Sequence, residues 1–545
     1  MNRLICYMKK NRSGMAVAGY FLLAAFLLLM LATRSSFLYI CNDWDDTNSY
    51  FTMGKALMNG YVPYRDIFDQ KGIWLYFFYG LAYLISNSTY TGVYILEIVE
   101  GALAMYAFYK IIGLYTQKST ALVLAPCVYT TMIASYAFYW GGSAEEMMFP
   151  ILAYGLYMIV RYFKKDYPVG KTMSSQEIVL GGFLAGMIAN IKFIDLGFYF
   201  AWMMCIFFAF LALKDWKGGF LACFKFLGGM ALPFVPWFIY FAAHKSLYWW
   251  YYGTIYINVF VYSNLDGEGP SFFARIYDLA KNLYFLFEKD FCFFLFLVPG
   301  VLWYVFGKGK KWLERFTMIA LCFFLYVGIY IGGMKLGYYA IPLAIFAVFG
   351  FAGIGVLFEK VCIKIRQSHE QPTGEKLNAN INLQDNTYPE QRAAVGLHEN
   401  HKKSKVIYSH IAGTVAILLC MVFIGCTSMN IPAMKVKEED HFLFQFKKIV
   451  DQTENPTLLT YNCFDTGLGT ICHAMPAGYW FQSQTIPGEE QIRYEQKEYM
   501  WAGIPDYIIC ETEYPNSALE NYQVVAEGSK ENWGHTSVYY LLKKK

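Results

Sequence analysis

The sequence predicts an α-helical polytopic membrane protein with a small extracytoplasmic α/β domain at its C-terminal end. Of its 545 residues, 57% are hydrophobic and 19% are aromatic, which exceeds what the core of a soluble domain needs. Apolar runs close to the ~20 residues that cross a bilayer recur along most of the chain. After about residue 437 these long runs stop, and short β-rich and helical segments follow.

The long apolar runs are expected to be helices, because a backbone exposed to lipid must satisfy its hydrogen bonds within its own segment. Run 178–213 is long enough for two crossings. Run 73–86 is short for a span, so it either crosses, re-enters or lies in the interface, and the total is roughly 11–13 helices. The long runs are 15–33, 92–109, 119–135, 145–160, 178–213, 219–243, 291–306, 313–333, 337–358 and 406–428.

Basic residues predict the orientation of the protein in the cell membrane. Lysine and arginine concentrate before the first run, between Arg161 and Lys171, and at 308–315, and such segments stay in the cytoplasm. The N-terminus is therefore expected in the cytoplasm, whereas loop 34–72 and the tail lie outside. The first run is interpreted as a retained anchor, since no convincing cleavage site separates it from the following loop.

These elements divide the chain into four parts. Residues 1–360 form a membrane domain with the outer loop 34–72, and 406–428 is the last transmembrane helix. Residues 361–405 are rich in Asn, Gln and Glu, which predicts a flexible cytoplasmic linker. Residues 437–545 form the α/β domain. Its strands are predicted at 456–462, 479–484, 505–512, 522–528 and 537–544, and its helical segments at 465–475 and 489–503.

Cysteine usage and net charge argue against a zinc site, a disulfide framework and nucleic-acid binding. The 13 cysteines include no C-x-x-C pair, so neither a zinc site nor a disulfide framework is indicated. Cys463 and Cys472 are the one pair considered for a disulfide. The net charge of +4 is spread over several loops, which does not indicate nucleic-acid binding.

The first outer loop concentrates acidic residues in a chain of which only 16% is charged. Residues 41–72 carry five aspartates, with "DWDD" directly after the first span and "DIFDQKG" before the next apolar run. Acids near bilayer level indicate function, although a water-exposed loop would carry them at no cost. A lysine there can bind a lipid phosphate, and a carboxylate can act as general base. The loop therefore predicts glycosyl transfer from a lipid-linked sugar.

These motifs resemble the GT-C superfamily of polytopic glycosyltransferases, in particular its protein O-mannosyltransferases and lipid A aminoarabinose transferases. In that family the first outer loop carries an acidic pair, an aromatic residue and a turn with glycine and proline, and it closes on an acid, a lysine and usually a proline. Gly72 stands here where the proline is usual. An acid in the second outer loop and a late lysine-tyrosine-proline motif complete the resemblance. The matching residues are Asp45, Asp46, Tyr50, Gly60, Pro63, Asp69, Lys71, Glu145, Glu146, Lys335, Tyr338, Tyr339 and Pro342.

The resemblance implies the substrates and the site. The donor would be a polyprenyl-phosphate-linked hexose or pentose, the acceptor an envelope glycan, lipid or protein, and the product usually inverted at the anomeric carbon. Some relatives use a divalent metal and others do not, and the acids here would suit either. Asp45 or Asp46 would be the catalytic base, and Lys71 and Lys335 would bind the donor phosphate. Supporting roles would fall to Asp69, Glu145, Glu146, Tyr338, Tyr339 and Arg275.

Other interpretations of these charges stay open at this point. Lys71 and Lys335 would also be explained by snorkelling toward lipid headgroups. Glu97 and Glu100 share one helical face and favour an interhelical contact, whereas Lys192 and Asp195 suit a local ion pair or the site. A transporter or flippase of a lipid-linked or anionic solute is one alternative function, although transporters concentrate charge near the midplane. A polysaccharide polymerase or ligase of another fold is the second.

Overall fold

The computed structural model describes residues 12–261, 271–332, 334–369, 411–532 and 535–545. Helices dominate before residue 428, and a five-stranded sheet forms in the tail, so the predicted fold class is confirmed. A π-helix (Tyr252–Val261) and a 3-10 helix (Gly337–Ala347) join the α-helices of the membrane domain. These α-helices are α1 (Arg12–Ala32), α2 (Asp45–Met58), α3 (Ile73–Ile85), α4 (Thr91–Ile112), α5 (Lys118–Ile133), α6 (Ala144–Lys165), α7 (Ser175–Ala189), α8 (Leu196–Ala212), α9 (Trp216–Ala231), α10 (Val235–Ala243), α11 (Leu247–Tyr251), α12 (Phe272–Lys289), α13 (Phe291–Phe306), α14 (Trp312–Tyr330), α15 (Val348–His369) and α16 (Ile411–Thr427).

Several of these helices are suited to crossing a membrane. Four shorter apolar helices, α3, α7, α13 and α16, accompany the longer ones in the described part of the chain. The protein is therefore a multi-pass membrane protein, while the exact number of crossings stays a prediction. Five segments in the described residues are long and apolar enough to span: Gly14–Ala32, Phe193–Ala212, Trp216–Ala243, Trp312–Tyr330 and Gly337–Ile365.

Apolar run 178–213 forms two helices, α7 and α8, as its length predicts. The short run 73–86 forms α3, which packs on α2 through two glycines. A Cβ built on Gly54 of α2 would lie 2.4 Å from the backbone nitrogen of Gly80 in α3. Any side chain at position 54 would therefore push α2 away from α3, and the start of α2 carries Asp45 and Asp46.

The predicted linker begins too early. Helix α15 continues to His369, so residues 361–369 are helical rather than part of a flexible segment. The apolar pattern of Val348–Phe358 leads into a mixed sequence, "EKVCIKIRQSH", that still alternates apolar and charged residues and extends the helix. Residues 370–405 of the predicted linker lie outside the described residues.

The tail contains the predicted α/β domain. The sheet order is β2-β1-β3-β5-β4, with β1 parallel to β2 and β3, and with β5 antiparallel to β3 and β4. Because β1 and β3 are parallel, their carboxyl ends meet at one edge of the sheet. The elements are α17 (Phe442–Val450), β1 (Thr457–Tyr461), α18 (Leu468–Ile471), β2 (Met475–Pro476), α19 (Glu489–Trp501), β3 (Tyr507–Glu511), β4 (Tyr522–Asn532) and β5 (His535–Lys544).

The prediction of a strand at 479–484 is wrong. The segment is irregular: its backbone makes isolated hydrogen bonds to Thr460 and Cys463, and its polar side chains contact the membrane domain. The Gln482 Oε1 accepts a hydrogen bond from the Ser49 hydroxyl at 2.7 Å, and the Gln484 Nε2 donates to the Phe68 carbonyl at 3.2 Å. Segment 479–484 is therefore part of the seam between tail and membrane domain.

The considered disulfide between Cys463 and Cys472 does not form, and both residues are buried free thiols. Both residues lie in the apolar core, and the Cys463 Sγ lies 3.6 Å from the Tyr461 carbonyl oxygen.

Candidate active site

A cavity of about 640 Å³ lies where the first outer loop, the turn at 136–140, the segment 334–339 and the tail meet. This volume is within the range of small-molecule sites, roughly 300–1,000 Å³. We call it the polar cavity, because carboxylates, amides and tyrosines line much of its wall. Its residues from the membrane domain are Asp43, Trp44, Asp45, Asp46, Ser49, Asp69, Lys71, Tyr136, Tyr139, Trp140, Met334, Leu336, Tyr338 and Tyr339.

Asp45 and Asp46 occupy the first turn of α2, where the unpaired N–H groups of a helix favour negative charge. The Tyr338 hydroxyl donates to the Asp46 Oδ2 at 2.7 Å, so one oxygen of this carboxylate is held by the wall. The Asp45 Oδ1 accepts from the Asp46 backbone N–H at 3.0 Å. Burial, followed by the neighbouring Asp46 charge, raises the pKa of Asp45 to about 7. Asp45 therefore exchanges a proton near neutral pH.

Asp69 and Lys71 are positioned by two tyrosines. The Tyr76 hydroxyl donates to the Asp69 Oδ2 at 2.7 Å and accepts from the Lys71 backbone N–H at 2.8 Å. The Tyr64 hydroxyl donates to the Lys71 carbonyl at 2.7 Å. The backbone N–H and carbonyl of Lys71 are thus both hydrogen-bonded to tyrosines, while Lys71 lines the cavity.

The contacts of Gly72 explain why a glycine stands where the resembled family usually has a proline. Its backbone N–H donates to the Ile191 carbonyl at 3.0 Å, and a Cβ built on it would lie 1.9 Å from the Asn190 carbonyl oxygen. The bulk of a proline ring, and its missing N–H, would both be incompatible with this contact. The glycine therefore allows the loop to pack directly on the end of α7.

The Lys71 ammonium has no hydrogen bond or ion pair within 4.0 Å among the described residues. Burial lowers its pKa, but the charges of Asp46 and Asp69 outweigh this effect, so the pKa of Lys71 is raised overall. The ammonium therefore stays protonated and is available to an anionic ligand. Lys71 also lines a second, smaller cavity, so it stands at the border between the two.

The second cavity has a volume of about 290 Å³ and a mainly apolar wall, and we call it the apolar cavity. Met334, Tyr339 and Lys71 line both cavities, so the polar and apolar cavities are adjacent. Lys192 is the other cation of this wall. The remaining lining residues are Gln70, Gly72, Ala189, Ile191, Phe193, Ile194, Thr254, Asn258, Val259, Gly328, Ile329, Ile331 and Gly332.

Lys192 pairs with Glu145 and not with Asp195, so of the two alternatives considered for Lys192 and Asp195 the local ion pair does not form. Its Nζ lies 3.7 Å from the centre of the Tyr339 ring, a cation–π contact. Glu145 is fully buried at the start of α6. Sequence reasoning placed Glu145 and Lys192 in separate segments, and only the packing of α6 against α7 shows that they form one unit.

Glu146 points away from the polar cavity. Its Oε2 accepts from the Gly142 backbone N–H at 2.9 Å, and Gly141 and Gly142 have φ values of 86° and 83°, in the left-handed region. This glycine turn binds the first outer loop, because the Gly141 carbonyl accepts from the Thr47 hydroxyl at 3.0 Å. Glu146 therefore fixes a turn that supports α2.

Glu97 makes an interhelical contact, as its position predicts. Its Oε1 accepts from the Thr33 hydroxyl at 2.8 Å, which joins α4 to the end of α1. Glu100 lies on the same face and is also buried.

The tail contributes an ion pair that sequence reasoning missed. The Lys530 Nζ lies 2.6 Å from the Asp43 Oδ2, and the Arg34 Nη1 lies 2.6 Å from the Asp43 Oδ1. Although burial alone would raise it, the two cations hold the pKa of Asp43 well below its usual range. No signal in the sequence links position 530 to position 43, because the contact depends on the docking of the tail.

Lys335 and Arg275 do not line either cavity. The Lys335 Nζ lies 3.7 Å from the Asp278 Oδ1, and 41% of its side chain is exposed. Arg275 is exposed on α12. Tyr338 and Tyr339, predicted from the same motif as Lys335, do line the polar cavity.

The described residues contain no group of three or more His, Cys, Asp or Glu side chains arranged to hold a metal ion.

The fold is that of a polytopic membrane protein with a small sheet domain, as the resemblance in the sequence motifs implies. No protein-family model matches the chain, and no curated protein matches it significantly. Among solved structures, the chain is similar to ArnT from Cupriavidus metallidurans bound to undecaprenyl phosphate, with a TM-score of 0.56 and 13% identity over 96% of this chain and 98% of that one.

Two further solved structures match most of the chain. ArnT from Cupriavidus metallidurans in the apo state gives a TM-score of 0.52 and 12% identity over 96% of this chain and 98% of that one. The archaeal oligosaccharyltransferase AglB from Archaeoglobus fulgidus, in complex with an inhibitory peptide and a dolichol-phosphate, gives 0.44 and 12% over 93% and 70%. At these identities the likeness to ArnT shows the fold, and the activity has to be argued from the site.

Proposed function

We propose that the protein transfers a sugar from a polyprenyl-phosphate donor to an acceptor hydroxyl at the polar cavity. The observation that carries this proposal is the unpaired ammonium of Lys71 between a carboxylate-lined cavity and an apolar one. A lipid-linked sugar has the same three parts in the same order: a polar ring, an anionic phosphate and an apolar chain.

The donor would lie across the border between the cavities. The part of its prenyl chain next to the phosphate would occupy the apolar cavity, and its phosphate would bind Lys71, which has no hydrogen bond or ion pair of its own among the described residues. Lys192 would add a second positive charge beside the phosphate, although it is already paired with Glu145. The sugar would extend into the polar cavity toward Asp45.

Transfer would be a single displacement at the anomeric carbon. Asp45, whose pKa is about 7, would accept the proton of the acceptor hydroxyl as the new carbon–oxygen bond forms. The bond between the anomeric carbon and the phosphate oxygen would break, and polyprenyl phosphate would leave with both electrons. Lys71 would stabilise the charge that develops on the leaving phosphate. Displacement from the opposite face inverts the anomeric carbon.

Asp46 has a different part in this proposal. Its carboxylate is held by Tyr338 and contributes most, among the neighbouring charges, to keeping Lys71 protonated. Asp46 would therefore support Lys71, the residue that binds the phosphate, whereas Asp45 would accept the proton of the acceptor. Asp69, fixed by Tyr76, would support Lys71 from the other side.

We further propose that both cavities open on the extracytoplasmic side of the cell membrane, as the basic residues of the opposite loops predict. A single cysteine introduced at the exposed Trp501 of the tail should react with an impermeant maleimide in intact cells. Labelling only after permeabilisation would contradict this orientation.

The first test is donor binding and transfer by the full chain in proteoliposomes. Lys71→Ala should weaken the binding of undecaprenyl phosphate by at least about tenfold and slow transfer from a panel of undecaprenyl-phosphate sugars. Lys281→Ala, which removes an exposed cation of α12, is the control and should change neither. Lys335→Ala tests the other predicted phosphate ligand in the same assay. Wild-type affinity in the Lys71→Ala protein would refute the proposal.

A further inference from the structure

The wall that the tail adds to the polar cavity has a charge pattern that restricts the acceptor. Asp465 follows β1 and Glu511 ends β3, so both lie at the edge where the carboxyl ends of these parallel strands meet. Both residues line the cavity, and Asp465 accepts a hydrogen bond from Thr52 of α2. Ligands commonly bind at this edge of a parallel sheet, because side chains from neighbouring strand ends converge there.

Two cations, Lys530 and Lys71, line the polar cavity within the described residues, and each already has another binding partner or role. Lys530 is held by Asp43 at 2.6 Å. Lys71 lies at the border with the apolar cavity, where the proposed function assigns it to the donor phosphate. No lining cation of the described chain is then left for an anionic acceptor.

The acidic groups outnumber these cations. Asp45, Asp46, Asp69, Asp465 and Glu511 line the cavity in addition to the paired Asp43. Burial raises the pKa of Asp465, and its oxygens accept from the Thr52 hydroxyl at 2.6 Å and the Gly467 backbone N–H at 2.9 Å. Glu511 is half-buried and retains access to the cavity. A second anion entering beside Glu511 and Asp45 would be repelled by both.

The uncharged part of the same wall suits a sugar. Gln482, Gln484 and Thr485 line it beside the rings of Phe464 and Tyr539. The Gln482 Oε1 and the Gln484 Nε2 already bind the membrane domain, so the Gln482 Nε2 and the Gln484 Oε1 are the amide atoms left for a ligand. Amides and hydroxyls hydrogen-bond to sugar hydroxyls, and aromatic rings pack against the apolar C–H face of a sugar ring. A site of this composition recognises polyhydroxylated rings by hydrogen bonding and does not need charge.

We infer that the acceptor is a glycan that carries no negative charge where it enters the polar cavity, and that Glu511 enforces this selection against phosphorylated or uronic acceptors. This inference rests on the proposed function, and it narrows the acceptor from glycan, lipid or protein to an uncharged or cationic glycan. Rejection by a fixed like charge is a general means of specificity.

The test uses β-1,4-linked glucan trimers that share one backbone and differ in charge. Cellotriose is neutral, chitotriose carries amines at C2, and the trimer oxidised to carboxylates at C6 is anionic. Binding to the full chain in detergent would be followed by the fluorescence of Trp44 and Trp140, which line the cavity. Trp140→Phe should reduce the signal and so identify its source.

The wild-type protein should bind the neutral and cationic trimers, and the anionic trimer at least about tenfold more weakly. Glu511→Lys should remove or reverse this order. Glu513→Lys, an exposed position two residues further along, is the matched control and should keep the wild-type order. Equal or tighter binding of the anionic trimer by the wild type, or failure of both other trimers to bind, would overturn the inference.

Undecaprenyl phosphate binding separates this result from the proposed function. If the wild type binds undecaprenyl phosphate through Lys71 but prefers the anionic trimer, only the inference about the acceptor fails. If undecaprenyl phosphate does not bind, the proposed function fails first.

Discussion

The polar and apolar cavities are neighbours that share Lys71, Met334 and Tyr339, yet their walls are chemically opposite. The polar cavity is larger, at about 640 Å³ against about 290 Å³, and carries the carboxylates. The apolar cavity has no carboxylate among its described lining residues and carries Lys71 and Lys192. Negative charge is thus confined to one side of a border on which the unpaired cation stands.

In the proposed function, this difference lets one site bind two chemically different substrates. The protonated Lys71, whose pKa is raised by the charges of Asp46 and Asp69, would bind the donor phosphate. Burial and the neighbouring Asp46 charge raise the pKa of Asp45, which would accept the proton of the acceptor. The comparison therefore predicts that changes on the polar side affect chemistry and changes on the apolar side affect donor binding.

The largest expected effect is on the polar side. Asp45→Asn keeps the shape of the side chain but removes the base, so kcat should fall by roughly 10²–10⁴-fold. Undecaprenyl phosphate binding should stay within about twofold of the wild type, because Lys71 is unchanged. Single-turnover transfer and lipid binding would be measured on the same preparation.

Asp66→Asn is the control for this change. Asp66 lies in the same outer loop, pairs with Arg65 at 2.7 Å and does not line either cavity. Near-normal turnover in Asp45→Asn would refute the division of roles and would direct attention to Asp46.

The second effect concerns the buried pair behind the border. Lys192→Met leaves Glu145 buried without its partner, which should cost about 3–5 kcal/mol of stability. In the double variant, Lys192→Met with Glu145→Gln, most of the lost stability should be regained, because no uncompensated charge then remains. Thermal unfolding in detergent measures both variants.

The double variant also separates a structural role of Lys192 from a binding role. If Lys192 contacts the donor phosphate, the stable double variant should still bind undecaprenyl phosphate more weakly than the wild type. Wild-type affinity in the double variant would restrict Lys192 to the support of Glu145 and Tyr339.

The sequence predicted the parts of this arrangement that depend on local pattern. Apolar runs predicted the helices, and the first outer loop gave Asp45, Asp46, Asp69 and Lys71, all of which line the polar cavity. Composition and period are sufficient for such predictions, because each depends on a single segment.

Contacts between distant segments could not be predicted in this way. Lys530 meets Asp43 across 487 positions, and Lys192 meets Glu145 rather than its near neighbour Asp195. A single sequence contains no record of which helices pack together. The irregular segment 479–484 illustrates the same limit, because the docking of the tail overrides its β propensity.

The third effect is on the apolar side. Gly332 lines the apolar cavity, and a Cβ built there meets no atom within 4 Å, so Gly332→Phe should fill part of the cavity without straining the fold. Undecaprenyl phosphate should bind about tenfold more weakly, whereas a short-chain prenyl phosphate should be less affected. Gly228→Phe, equally open but remote from both cavities, is the control. Equal losses for long and short chains would contradict this use of the cavity.

The smallest expected effect is a displacement of the pH profile. A carboxylate base must be ionised, so transfer should rise with pH and level off above the pKa of Asp45, about 7. Burial and Asp46 raise this pKa, while the Lys530 ammonium lowers it. Lys530→Met removes the lowering charge, so the pKa of Asp45 should rise and the acid limb should move to higher pH. Activity should then fall most below pH 7 and remain close to the wild type at pH 8.5. Lys448→Met, which removes an exposed lysine of α17, should leave the profile unchanged. Since the hydrogen bonds from Thr52 to Asp465 and from Ser49 to Gln482 still join the tail to the membrane domain, the tail should stay docked, and thermal unfolding would verify this. A uniform loss at every pH, with no displacement, would mean that Lys530 acts only through docking and does not tune the base.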